Sequence, residues 1–245
     1  MNYNNNSQMF TNSGPTIQLC NNLGVATINN VQFNLVSDLH VGVYLYDTDW
    51  NYVSTFNFPK IHYAIVANDY YYFSTTLLNS NSYGIIKTLL NSSSIVKYYG
   101  NTRGVYRNLF YDSNQSRIIA AGYAINTVDI FDLNLKLNSS IFLGNFNFPF
   151  GVTVYNSNIY AAYAFNIVKI SIASIAKTYS TTCLLSVSIN ADSFGYFAFA
   201  CTSLCVYDST FRFTYKCLSV TAIDARFDTN NRLAICTVND VYVYY

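Results

Sequence analysis

His40 and His62 are the only imidazoles in the chain, and all twelve acidic residues are aspartate. A catalytic zinc takes three protein ligands and keeps a fourth position open, so two imidazoles suffice only if an aspartate joins them. With no glutamate to bind bidentately, aspartate and asparagine oxygens hold calcium weakly. Serine is too abundant for spacing to single out a nucleophile beside a histidine and an aspartate. No catalytic set emerges, and no metal or cofactor is called for.

The residues that stand out are the few charged and aromatic ones placed where strands begin. His62 and Tyr63, Arg107 and Asn108, Phe150, and Asp224 with Arg226 occupy comparable places at the start of four alternating segments. If those starts converge at one end of a common channel, the seven residues ring a polar and aromatic depression suited to a ligand. The six cysteines form a second constellation. Cys183 and Cys217 each precede a strand, and Cys201 and Cys236 each end the strand that returns beside it. That spacing predicts two hairpin disulfides, Cys183–Cys201 and Cys217–Cys236, with Cys20 and Cys205 as buried free thiols.

Elements must exist to bring these residues together, and the repeats supply them. Phe56-Asn57-Phe58-Pro59 returns as Phe146-Asn147-Phe148-Pro149, 90 residues on. Each copy leads into a strand, a polar turn and a second strand: Tyr63 to Val66 with Tyr71 to Phe73, and Gly151 to Val154 with Ile159 to Ala162. The same strand-turn-strand pattern recurs at Val25 to Leu35, Leu109 to Ala120, Val187 to Phe199 and Ala225 to Ile235. A third alternating strand follows each hairpin, starting at Val43, Ile85, Val128, Val168, Leu204 and Val241, in steps of 42, 43, 40, 36 and 37 residues. Period-2 alternation between Asn/Asp/Ser/Gly turns marks half-buried strands. A period near 40 with three or four strands per unit marks a propeller blade.

The expected fold is therefore all-β, a six-bladed β-propeller closed by pairing of N- and C-terminal strands. The sixth unit ends at Val241 to Tyr245 and lacks a fourth strand, and the spare strand at Thr16 to Cys20 is placed to provide it. Residues 1–15 read as a polar lead-in and 16–245 as one domain.

Pro149 to Tyr163 followed by Asn166-Ile167-Val168-Lys169-Ile170 resembles an NHL repeat: Pro-x-Gly, an apolar strand, a polar turn, an Ile-Tyr-Val-like strand, then Asn and a Val-x-Val strand. The resemblance extends more weakly over all six units. A WD repeat is not indicated, because Trp50 follows Asp49 instead of preceding an aspartate, and kelch repeats would need Gly-Gly pairs. The likeness implies two enzymatic alternatives: a calcium-dependent hydrolase, whose usual cage includes glutamate, and a zinc-dependent amidating lyase, which needs several histidines.

With a net charge of +1 and 10% charged residues, the chain has no basic face for nucleic acid. No apolar run approaches the length of a membrane-spanning helix. Six cysteines and sequons at Asn5, Asn91, Asn114 and Asn138 point to an extracellular or secreted, glycosylated protein. The function these features favour is a non-enzymatic binding module, recognising a protein or a glycan through loops at one end of the ring. The alternatives are a metal-dependent hydrolase or lyase acting in the channel, and a structural or adhesive protein that self-associates through its Tyr-rich rim.

Overall fold

The computed structural model describes residues 7–9, 20–58, 60–76, 83–101, 104–144, 148–163, 166–171, 174–180, 188–201, 204–218, 221–228, 230–237 and 240–244. After a short strand β1 (Ser7–Met9), these residues form six four-stranded antiparallel sheets. The first holds β2 (Cys20–Ile28), β3 (Val31–Asp38), β4 (Gly42–Tyr46) and β5 (Tyr52–Asn57). The second holds β6 (Ile61–Ala67), β7 (Tyr70–Thr76), β8 (Tyr83–Leu89) and β9 (Ile95–Asn101). The third holds β10 (Tyr106–Asp112), β11 (Arg117–Gly122), β12 (Thr127–Asp132) and β13 (Leu137–Phe142). The fourth holds β14 (Pro149–Tyr155), β15 (Asn158–Tyr163), β16 (Asn166–Ser171) and β17 (Ser174–Ser180). The fifth holds β18 (Ser188–Ala191), β19 (Phe197–Ala200), β20 (Leu204–Tyr207) and β21 (Phe213–Leu218). In the sixth, β22 (Asp224–Phe227), β23 (Leu233–Cys236) and β24 (Val241–Tyr244) are joined by β1 at the outer edge.

Alternation on these strands works in both directions, because each sheet packs on two neighbours. In β7, Tyr71 and Phe73 enter the cluster shared with the first sheet, while Tyr72 enters the one shared with the third. Six such clusters occur, one for every neighbouring pair, including first with sixth through Val36, Tyr44, Trp50, Ala234, Val241 and Val243. The innermost strands touch in ring order from β2 through β6, β10, β14, β18 and β22 back to β2. The fold is an all-β, six-bladed β-propeller, as the spacing predicts. Tyr70, Tyr71 and Tyr72 are thus core residues of the ring.

Many of the aspartates share one local role. Five turns open on an aspartate whose Oδ1 accepts the backbone N–H two and four residues on: Asp47, Asp132, Asp192, Asp208 and Asp228. The fourth residue of each is left-handed, with φ from 56 to 91° at Trp50, Leu135, Gly195, Phe211 and Asn231. Only a short carboxylate reaches its own turn in this way, so these acids serve as turn caps.

Two expectations are corrected. The strand that pairs with β24 is Ser7–Met9, in register Ser7↔Tyr244 to Met9↔Tyr242, within the stretch read as a lead-in. Residues 16–19 lie outside the described residues, and Cys20 opens β2. An outermost strand is held by backbone pairing and faces solvent, so it needs no apolar alternation to signal it. The disulfides also differ. Cys236 bonds Cys20 across the seam between first and sixth sheets, not Cys217. Residue 217 belongs to β21, the outer strand of the fifth sheet, and the residue opposite Cys236 in its own hairpin is Asp224. Cys20 and Cys205 are not free thiols, since Cys20, Cys201, Cys205 and Cys236 are all disulfide-bonded. Cys183, the expected partner of Cys201, lies outside the described residues.

Candidate functional site

The first four inner strands share an irregularity near their starts, where one residue is skipped in the pairing: between Cys20 and Asn22, Ile61 and Tyr63, Tyr106 and Asn108, Pro149 and Gly151. Such a bulge re-aims the skipped side chain. Asn21, His62, Arg107 and Phe150 thereby stand at one level around the mouth of the channel. Asn21 Nδ2 donates to the His62 carbonyl at 2.6 Å. His62 Nε2 lies 2.8 Å from Thr76 Oγ1. Burial, aided by the nearby Arg107 charge, pulls the His62 pKa down to about 4, so its ring is neutral at pH 7. The exposed Arg107 guanidinium lies 5.0 Å from the centre of the Tyr123 ring. Tyr123 also meets Phe150 at 4.9 Å and stacks on Phe148 at 4.8 Å.

One residue deeper, a second level fastens the ring. Asn22 Oδ1 accepts from the Ala64 N–H at 3.2 Å, Asn108 Oδ1 from Val152 at 3.2 Å, Ser188 Oγ from Ala225 at 3.2 Å, and Asp224 Oδ2 from Leu23 at 2.7 Å. Each joins one inner strand to the next. Gly151 holds the same place in the fourth sheet, where a Cβ would stand 2.7 Å from the Ile189 nitrogen. Tyr63 fills it in the second and is hydrogen-bonded by Asn22 and Asn108. Arg226 reaches from the sixth sheet to Tyr63 Oη at 3.2 Å and to the Leu23 carbonyl at 3.3 Å.

These contacts set the charge states inside the channel. Burial pushes the Asp224 pKa up, against N–H donors and Arg226 that favour the carboxylate. Burial likewise raises the Tyr63 phenol. At this end, described side chains of the inner strands bond from one sheet to another. Tyr63, Asn108, Asp224 and Arg226 face inward and hold sheets together, whereas His62, Arg107 and Phe150 form the accessible rim.

Sequence reasoning missed Asn21, Tyr123 and Phe148 as members of the rim. Phe148 carried a signal, since it stands in the repeated Phe-Asn-Phe-Pro tetrapeptide. Tyr123 follows β11 in a turn held by its N–H to the Val105 carbonyl at 2.9 Å, and nothing in its local sequence distinguishes it. Among the described residues no cluster of three or more His, Cys, Asp or Glu is placed to hold a metal ion. At the opposite mouth a depression of about 460 Å³ is lined by strand-end and turn residues including Asn29, Asn68, Asp69, Tyr111 and Ser113.

No family model matches the chain, and no curated protein matches it in sequence. Solved structures do resemble it in fold. A WD40 β-propeller domain of Doa1 superposes with a TM-score of 0.68 at 8% identity, over 98% of this chain and 96% of that one. A streptogramin B lyase gives 0.68 at 10% identity, over 98% and 97%. A chain of a mitotic checkpoint complex gives 0.67 at 10% identity, over 90% and 73%. At these identities the likeness is one of fold alone: the chain superposes as well on a WD40 domain as on a lyase.

Proposed function

We propose that this protein is an extracellular binding module of NHL-like repeats that recognises a protein or a glycan at the channel mouth ringed by His62, Arg107 and Phe150. The observation that carries the reading is the rim itself. An exposed guanidinium rests on an aromatic shelf of Tyr123, Phe148 and Phe150, above the Tyr63–Arg226 hydrogen bond. Such a surface offers aromatic area and hydrogen-bond donors, which suits docking against a partner. The Cys20–Cys236 disulfide and the exposed sequon residues Asn91, Asn114 and Asn138 support placement outside the cell.

Peptide and glycan arrays probed with the wild type and with Arg107→Gln and Phe150→Ala test it. Binding that both variants weaken, with unchanged melting temperature, is the expected result. Binding that neither variant alters moves the site elsewhere. A second reading, a hydrolase or lyase with a metal in the channel, has the fold likeness to a streptogramin B lyase on its side. Elemental analysis and a chelator-sensitive melting temperature separate the two.

A further inference from the structure

The charges are divided between the two faces of the ring. Asp47, Asp49, Asp69, Asp112, Asp132, Asp192, Asp208 and Asp228 lie in or beside the turns linking first to second and third to fourth strands, with Arg117, Lys136, Arg212, Arg232 and the Lys87 ammonium, bonded to the Leu133 carbonyl, as the described cations there. The face bearing the candidate rim has three aspartates, and two of them are enclosed. Asp38 is fully buried with its Oδ1 on the His40 and Val41 N–H groups, and Asp224 is buried at the seam. Its described cations are Lys60 and Arg107, both exposed, and Arg226 inside the channel.

Arg107 is the one best placed to act on a ligand. Among the described residues the ion pairs are Arg117–Asp112 and Arg232–Asp228, so no described carboxylate forms an ion pair with Arg107. Its guanidinium is stationed on Tyr123 at 5.0 Å, and the neighbouring His62 adds no competing charge at pH 7. Beside it Phe148 is 41% exposed, an apolar lip on the same aromatic stack.

Resting on the binding reading above, we infer that this mouth takes a carboxylate-bearing peptide segment of a partner protein. An Asp or Glu side chain, or a chain terminus, pairs with Arg107, and an adjacent apolar side chain lies on Phe148 and Phe150. Charge complementarity selects the acidic partner, because the opposite face repels it. An apolar side chain next to the acid buries the exposed Phe148 lip, which favours a peptide; an acidic glycan, whose C–H faces also stack on aromatic rings, is the competing outcome of the test.

The test is an array of paired peptides on the full chain. Each sequence combining Asp or Glu with Phe or Leu stands beside a copy in which every acid is its amide, and a polyuronate oligomer serves as the acidic glycan. Anisotropy titrations of the best pair follow at about 50 and about 300 mM salt. The acidic member binds at least about tenfold more tightly, and weakens with salt. Arg107→Gln removes that preference while leaving the amide member unaffected, and Arg212→Gln on the other face changes nothing. If both members bind equally and Phe150→Ala weakens both, the mouth is the site but the carboxylate inference falls. Preference for the polyuronate overturns the peptide assignment. If no probe binds, or Phe150→Ala leaves every affinity unchanged, the binding reading falls with it.

Discussion

Cys20 in the first sheet and Cys236 in the sixth are bonded with their Cα atoms 6.1 Å apart, although 216 residues separate them in sequence. They lock the seam where the first and last sheets of the ring meet. The seam is fastened at its other end by Trp50 Nε1 donating to Asp228 Oδ2 at 3.1 Å, where Arg232 Nε also bonds at 2.7 Å.

A crosslink closing so long a loop restricts the unfolded chain strongly, by about 5 kcal/mol in the chain-entropy model. The double variant Cys20→Ser with Cys236→Ser should fold but melt about 10–20 °C lower. Scanning calorimetry checks this, and an unchanged melting temperature would show that the apolar seam and β1 suffice.

The turn-cap role of the five aspartates predicts that charge alone does not satisfy these positions. Asp132 Oδ1 accepts from Asn134 N at 2.8 Å and Lys136 N at 2.9 Å. Asp132→Glu keeps the charge but displaces the oxygen by a methylene. Urea denaturation should show a loss of about 1 kcal/mol, close to that of Asp132→Ala. A Glu variant as stable as wild type would mean that charge, not reach, is what the turn needs.

Gly151 is required by close approach, not by backbone freedom. A Cβ there would meet the backbone of Ile189 and Ser188 at 2.7 and 2.9 Å, and backbone cannot rotate aside. Gly151→Ala should cost about 2–3 kcal/mol. The same substitution at Gly144, where a Cβ meets nothing within 4 Å but φ is +71°, tests conformational strain by itself. Equal costs at the two sites would remove the steric argument.

His62 makes stability depend on pH. Its folded pKa is depressed from 6.5 to about 4, so below pH 6.5 the unfolded chain binds a proton that the folded state refuses. The contribution is present above pH 6.5 and is lost as pH falls toward 4. Its size is about 1–3 kcal/mol. Urea titrations at pH 7.0 and 4.5 on wild type and His62→Gln should show a smaller acid loss in the variant. Parallel slopes would place the acid sensitivity elsewhere.

The sequence by itself determined the blade count and the strands within each blade. Alternation and turn residues are local, and Val43, Ile85, Val128, Val168, Leu204 and Val241 recur because every blade buries the same positions against two neighbours. It also placed His62, Arg107 and Phe150 at equivalent strand starts. Only the tertiary structure decided which of the seven candidate residues reach solvent. Asn108 and Asp224 meet backbone N–H groups of neighbouring blades, and Arg226 crosses to Tyr63, through distances that exist only once the ring closes. Cys236 found Cys20 for the same reason: hairpin reasoning sees partners within a blade, whereas this bond spans the first and last blades. Ser7–Met9 joined the sixth sheet without any apolar pattern, since an outer strand is selected by a neighbour's unpaired backbone edge.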